Sequence, residues 1–330
     1  MLMQTMNKVR YYFIILLCFS IFSCDFQKKG NSTGGPLEFI LIQGEGCSES
    51  AFNIFKNNFI ALQTPLLETE IYGEQKNFFR VIPILEKDFS SIFRTHKNIV
   101  FVTFGKKFNM QMKRDLWAKN QSVYICSIDE YQKNRQGQIE TFSNDSAEKI
   151  KKQELIKRAA NYDKSTPENI KKYLQKNHHL SMSLPSRFFI IDSLNENLNL
   201  RGDTKKSSQR ILVSSFNLEP TIENIILEQN RMAKNNISSN VEGSYVIIEE
   251  RTKLYIDTLT QTNQQKINIK GLWKMDGDFM GGSFFTTLMI NPNNKKKTLI
   301  SLYLYAPGEN KASYLLDLEA ISTSIKFINN

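Results

Sequence analysis

The chain has 330 residues, 41% hydrophobic and 23% charged, with 43 Lys+Arg against 33 Asp+Glu and a net charge of +10. That length suggests two domains of ~150 residues or one large one, with apolar content ample for a core. Collagen-like, low-complexity and wholly disordered chains are excluded, and four cysteines in so long a chain exclude a disulfide-stapled miniprotein.

Residues 1–23 carry an address. Lys8 and Arg10 form a basic start, and residues 11–22 are an almost unbroken apolar run. That run is too short for a ~30 Å hydrocarbon core, which takes ~20 helical residues to cross. A basic start, a short apolar stretch and a small residue before a cut describe a secretory signal peptide. The cut falls at Ile21-Phe22-Ser23-Cys24, which resembles the bacterial lipobox, with Phe22 bulkier than that pattern usually carries. The resemblance implies that Cys24 is thioether-linked to diacylglycerol and becomes the acylated N-terminus. Several acyl chains would anchor the protein firmly, at ~0.8 kcal/mol per buried CH₂. A plain cleaved signal peptide with an unrelated Cys24 is the simpler alternative.

Loss of Lys8 and Arg10 lowers the charge from +10 to +8. A positive surface favours anionic lipid or polymer near the anchor, and an exported lipoprotein is not expected to meet nucleic acid. With Cys24 lipidated, only Cys47 and Cys126 remain to pair, and each reads first as a small buried hydrophobe.

Residues 24–36 are polar and Gly-rich, the composition of a flexible tether. A strand follows at 37–42, then a helix capped by Ser48 or Ser50 and carrying Phe52, Ile54, Phe55 and Ile60. Strands at 78–84 and 98–104, a helix at 107–118 and a strand at 122–128 make residues 37–178 an α/β half. Within it, residues 145–177 are Lys-rich and interrupted at Ser165-Thr166-Pro167. Pro167 reads as the first residue of a second helix, Thr166 as its cap, and Glu168 as favourable charge in the first turn. A solvated connecting helix pair is the plain reading of this stretch; a basic membrane-docking or partner-binding element is the other.

Residues 179–330 begin with a strand-like run at 179–192 broken by Pro185. A strand at 211–217 and a helix at 220–234 follow, then strands at 244–250 and 253–259 that suit each other as a pair. Three more strands lie at 266–274, 283–290 and 298–306, the last two joined through the turn Asn291-Pro292-Asn293-Asn294. A closing amphipathic helix at 313–327 would bury Leu315, Leu318, Ile321 and Ile325. The predicted fold class is α+β, with a C-terminal antiparallel sheet and helices packed on one side of it.

The segments Gly271-Leu272-Trp273 and Gly277-Asp278-Phe279-Met280-Gly281-Gly282-Ser283-Phe284 resemble an uncharacterised lipoprotein family of the Bacteroidetes, known only as a domain of unknown function. Lys270 stands where that family carries Arg, and Ser283 where it carries Pro. Further likeness lies at Gly243-Ser244-Tyr245 with Glu249, at Tyr305-Ala306-Pro307 and at Leu318-Glu319-Ala320-Ile321. Weaker likeness lies at Leu62-Gln63-Thr64-Pro65 and Trp117-Ala118-Lys119. The resemblance implies an address and a motif rather than an activity. The layout of the C-terminal half, from a strand ending in Leu-Pro to the final Ser322–Phe327 segment, is also similar to PsbP/Mog1-like proteins. Those are mostly accessory or binding proteins, and fold does not fix function.

The chemistry open to these residues is limited. Gly281 and Gly282 permit a tight bend, or exposed N–H groups that could cradle an anion. Asp276 and Asp278 could offer oxygen to a hard cation, but a polar turn is the plainer reading. Glu249 and Glu250 are adjacent on a strand and point to opposite faces, so they cannot converge as a hydrolytic pair. His96, His178 and His179 lie near no nucleophile elbow, and no P-loop, GxGxxG, HExxH or CxxC occurs, so no cofactor or metal is implied. Cys47, just before a helix, is the one tempting nucleophile. Tyr245, Trp273, Phe279 and Phe284 either line a stacking groove or belong to the core.

The expectation is therefore a non-catalytic envelope lipoprotein, lipidated at Cys24. Its contact surface would comprise Tyr245, Glu249, Gly271, Trp273, Asp278, Phe279, Met280, Gly281 and Gly282, offered to an envelope protein or wall polymer. The alternative is an envelope hydrolase acting on peptidoglycan or glycans from the same surface. The residues after Cys24 (Asp25-Phe26-Gln27-Lys28-Lys29) lack an acidic surface-export pair, which favours an outer-membrane position facing the periplasm.

Overall fold

The computed structural model describes residues 29–61, 79–128, 135–193, 197–261, 264–291 and 294–328. The expected signal peptide, Cys24, the Leu62-Gln63-Thr64-Pro65 segment and Pro292-Asn293 of the expected turn lie outside the described residues.

The first sheet has the order β2-β1-β3-β5-β4. Strands β1 (Glu38–Gln43), β2 (Arg80–Leu85), β3 (Asn98–Phe104) and β5 (Ser122–Ile128) run parallel, and β4 (Asn109–Arg114) closes one edge antiparallel to β5. β1 and β3 are near-continuous apolar runs because a parallel sheet is covered on both faces. Helix α1 (Glu49–Ala61) starts at Ser48, whose Oγ accepts the Ala51 N–H at 3.2 Å. Its Phe52, Phe55 and Phe59 are buried, each worth about 1.5–3 kcal/mol over exposure. Phe59 meets Phe39 of β1 edge-on, with ring centroids 4.7 Å apart. On the opposite face, Ile40, Ile42, Ile99 and Val123 lie under Phe89, Trp117 and Phe93 of the single-turn helix α2 (Ser91–Arg94).

Two expectations change here. Residues 107–118 form strand β4 and a turn instead of a helix. Phe108 and Met110 pack on the core from every second position, while β5 supplies a free edge to pair with, so the period of two prevails over the spacing of four. Asp115 and Asn120, at φ 52° and 61°, then turn the chain into β5. The expected tether is also shorter. The Ser32 N–H donates to the Lys119 carbonyl at 2.9 Å and the Thr33 N–H to the Thr95 carbonyl at 2.8 Å, which seats these residues on the body.

Two helices follow, α3 (Arg135–Ser165) and α4 (Glu168–His178). Pro167 is the capping residue of α4 rather than its first helical one. Thr166 instead uses its hydroxyl across the break, donating to the Tyr162 carbonyl at 2.6 Å and accepting the Leu184 N–H at 2.7 Å.

The second sheet is antiparallel, in the order β10-β12-β13-β14-β9-β8-β7. Its strands are β7 (Phe188–Asp192), β8 (Leu198–Asp203), β9 (Ser208–Ser215), β10 (Tyr245–Ile248), β12 (Gln264–Asp276), β13 (Gly281–Ile290) and β14 (Lys297–Tyr305). Strand β11 (Tyr255–Gln261) also pairs with β12. β10 and β11 thus do not pair with each other as expected. The 13 residues of β12 offer room for β10 along 273–276 and for β11 along 264–270.

Side chains alternate across this sheet. Leu272, Phe285, Met289, Ile300 and Leu302 face one way, against α4 and α6 (Ala312–Ser324). Trp273, Phe284, Leu288, Leu299 and Tyr303 face the other, against α5 (Ile222–Asn236). Thr221 caps α5, its hydroxyl accepting the Asn224 N–H at 3.2 Å. The α+β class is the one observed, and helices lie on the second face as well as the first. The expected closing helix stops at Ser324, where β15 (Lys326–Phe327) pairs with β6 (Leu180–Ser181).

A single core cluster runs from the inner face of the parallel sheet through α1 and α3 to α6 and the antiparallel sheet. Among the described residues, no helix is long and apolar enough to cross a membrane.

Candidate functional site

The hairpin of β12 and β13 turns at residues 277–280, with Gly277 at φ 84°. At its base the Trp273 indole is buried and donates through Nε1 to the Leu304 carbonyl of β14 at 3.1 Å. Gly282 lies directly across from Trp273, and a Cβ there would stand 2.0 Å from the Leu304 oxygen. A side chain at 282 would therefore occupy the space of that hydrogen bond. A Cβ on Gly271 would come within 2.8 Å of the Phe284 ring, and one on Gly281 within 3.0 Å of the Trp273 carbonyl. Gly271, Trp273 and Gly282 are thus interior, a correction to their place on the expected surface. Phe284 is core as well. The glycines serve close packing here.

The outer part of the motif is different. Phe279 is fully exposed at the hairpin tip (relative exposure 108%). Beside it, the Asp278 carboxylate accepts the N–H of the next residue, Phe279, at 2.7 Å, so this carboxylate is tied to its own turn. Met280 is half-buried against the α5 side of the core, and its carbonyl accepts the Met275 N–H at 2.7 Å. Tyr245 pairs across strands with Asp276, whose hydrogen bond and charge push the phenol pKa up. The Lys234 ammonium sits 4.0 Å from the Tyr245 ring centroid. Among the described residues, no group of three or more His, Cys, Asp or Glu is placed to hold a metal ion.

Glu249 is buried, and its carboxylate accepts Arg251 Nε at 2.8 Å and Nη2 at 2.7 Å, with Lys274 Nζ 3.6 Å away. The Arg251 hydrogen bonds, ahead of the opposing cost of burial, hold its pKa down at about 2. A carboxyl so committed to its anion cannot donate a proton near neutrality, which removes Glu249 as a general acid.

The tempting nucleophile is likewise ill placed. Cys47 and Cys126 are buried and not joined in a disulfide. Burial first, and then the neighbouring Cys47, push the Cys126 thiol up to about 12. His96, the imidazole on this sheet, is engaged by the Glu38 carboxylate at 2.9 Å and the Asn98 carbonyl at 3.1 Å.

One polar cluster escaped the sequence reading. Asp317 of α6 receives Arg158 and Tyr162 of α3, and Arg187 lies 3.6 Å from its other oxygen. Arg187 also donates to Gln209 of β9 at 2.8 Å. Burial, then the Asp317 charge, push the Tyr162 phenol up to about 12. Two residues further along α6, Glu319 binds Lys151 of α3 at 2.8 Å and Lys270 of β12 at 3.2 Å. Two acids in an otherwise uncharged helix were the visible signal; their partners, far away in sequence, were not. The arrangement stitches α3 to α6 through Lys151 and Arg158, while Lys149, Lys152, Lys157 and Lys164 of the same helix stay exposed.

The antiparallel sheet and the helices on it define an α+β domain, and its sequence has counterparts. Residues 167–324, which begin at the cap of α4 and end with α6, match the family described as Domain of unknown function (DUF4837). No curated protein matches the sequence. Among solved structures, the Ran-binding protein Mog1p of Saccharomyces cerevisiae is similar at 8% identity, over 46% of this chain and 91% of its own, with a TM-score of 0.28. The Mll3558 protein from Rhizobium loti is similar at 8% identity over 50% of this chain and 85% of its own, with a TM-score of 0.16. Likeness this slight carries no argument about function.

Proposed function

We propose that the protein is an exported cell-envelope lipoprotein, anchored through acyl chains on Cys24, whose α+β body is a non-catalytic binding module. The expected position is the outer membrane, facing the periplasm. Support for the binding role comes from Phe279. A phenyl ring fully in water, at the tip of a hairpin braced by the Trp273–Leu304 hydrogen bond, is what a rigid contact point requires. Asp278 and Met280 flank it in the turn, Tyr245 stands on the adjoining strand opposite Asp276, and the partner is an envelope protein or a wall polymer. The hydrolytic alternative on peptidoglycan or glycans is disfavoured by the ion-paired state of Glu249.

The test joins two measurements on cells. Radiolabelled palmitate should enter the wild-type protein and not a Cys24→Ala form. A photo-reactive side chain at position 279 should capture one discrete envelope component, whose recovery in an ordinary pulldown is lost in Phe279→Ser. An unlabelled wild type would end the lipoprotein reading. Equal recovery by wild type and Phe279→Ser would end the assignment of the contact.

A further inference from the structure

A row of side chains crosses the α5 face of the antiparallel sheet, away from the hairpin. Phe189 of β7 opposes Arg201 of β8, Arg201 opposes Arg210 of β9, and Arg210 opposes Tyr303 of β14. Directly opposed residues on neighbouring strands project to the same face with Cβ atoms ~5 Å apart, so the two guanidinium stems are side by side. Like charges in that relation are destabilising, and sheets normally separate them or place an acid between them.

Only half of that compensation is present. Asp203 accepts Arg201 Nε at 2.6 Å and also the Ser208 hydroxyl at 2.8 Å. Arg210 makes no ion pair among the described residues. Its one hydrogen bond there is to the neutral Asn199 amide oxygen at 3.4 Å. The Asn199 amide is turned to that role because its nitrogen donates to Asn236 of α5 at 3.3 Å. Burial, and then the Arg201 charge, push the Arg210 pKa down against the smaller opposing pull of Asp203. Phe189, across from Arg201 on edge strand β7, is 50% exposed, and Ile191, at the register break that sets Asp192 opposite Asn199, is 44% exposed.

We propose that Arg201 and Arg210 form a phosphate-binding site, with Phe189 and Ile191 as the seat for an apolar chain attached to that phosphate. Two guanidinium forks suit phosphate better than carboxylate, because phosphate offers more oxygens and up to two negative charges to divide between them. The site lies on a sheet face rather than in an enclosed pocket, so the rest of the ligand stays outside the protein. The source is either free phosphate or a phospholipid headgroup. This inference does not depend on the anchor at Cys24 or on the contact at Phe279.

The test is thermal unfolding of the full chain in detergent, in sodium phosphate and in sodium chloride of equal ionic strength. A parallel titration uses monomeric dihexanoyl-phosphatidylglycerol. Without ligand, Arg210→Gln should melt at or above the wild-type temperature, since it removes a like-charge contact. With ligand, the wild type should be stabilised, while Arg201→Gln and Arg210→Gln should bind at least tenfold more weakly. Arg210→Lys, which keeps the charge and loses the fork, should fall between them. A response to inorganic phosphate identifies free phosphate as sufficient. A response to the short-chain lipid alone identifies a headgroup held through Phe189 and Ile191. No response to either ligand, or equal responses in wild type and Gln variants, would overturn the site.

Discussion

The two sheets bury their apolar residues by different rules. In the parallel sheet, β1 and β3 are apolar on both faces, so Phe39, Ile40, Leu41 and Ile42 all disappear from solvent in succession. In the antiparallel sheet each strand divides its side chains between the α6 face and the α5 face, and polar groups such as Thr286 and Ser301 lie fully inside, bonded to one another at 3.0 Å. The parallel sheet is mostly packing, with its polar contacts, such as His96 to Glu38 and Asn98 to the Glu38 carbonyl, at the strand ends. The antiparallel one combines packing with polar groups placed by register, and it is there that Glu249, Lys270 and the Arg201–Arg210 pair are assembled. A scaffold of alternating strands can show one face to the core and still vary the other residue by residue.

The sharpest way to break this contrast is at the seam between the halves. Asp317→Ala strips a buried carboxylate from Arg158, Tyr162 and Arg187. Leaving buried charges without their partner should cost about 3–5 kcal/mol, read by urea unfolding. The single transition should split into two if the seam is what couples the halves.

Glycines give the next largest effect and compare the sheets directly. Gly282→Ala drives a Cβ against the Leu304 carbonyl, which is backbone in a central strand and cannot move aside. A loss of about 3 kcal/mol is expected. Gly105→Ala beside β3 meets chiefly the Ser127 hydroxyl, which can rotate away, and should cost roughly 1 kcal/mol or less. Equal losses at the two sites would show that the close approach at Trp273 is not special.

Acid titration comes third. The Glu249 pKa is depressed from 4.5 to about 2, so its stabilising share is complete above the unfolded value and disappears as pH falls through the folded one. Because Arg251 stands mostly in water, the effect should be about 1 kcal/mol. Wild-type stability should fall more steeply than that of Glu249→Gln between pH 4.5 and about 2. Identical acid limbs would refute the ion pair. Smallest of all, Phe279→Ser should leave stability unchanged within about 0.5 kcal/mol, because the ring touches water alone.

The same contrast explains how much the sequence revealed. β3 and β5 are read with their observed limits, because a run of apolar residues bounded by polar ones is a local signal. The closing helix was legible from Leu315, Leu318 and Ile321. β4 was not, since its exposed edge gives Met110 and Met112 little to distinguish a strand from a helix. β8 was missed because only Leu198 and Leu200 mark its buried side. At the hairpin, the motif was visible while its division was not. That Trp273 turns inward and Phe279 outward depends on the reach of β14 beneath them. The Asp317 cluster and the arginine pair depend on contacts distant in sequence or on strand register, which spacing along the chain cannot supply.

The continuous core has a practical consequence for anyone dissecting the chain. The stretch that matches the domain family begins at Pro167, after α3 has ended. A fragment cut there would keep the whole antiparallel sheet but lose the parallel sheet, α1 and α3, the helix that packs against α6. Leu315, Leu316 and Leu318, now sealed within the shared cluster, would be left against a missing wall, and Glu319 would lose Lys151. Such a fragment should be sticky and hard to purify. Solubility would return with the N-terminal half supplied in trans, and that rescue would measure how strongly the two pieces recognise each other.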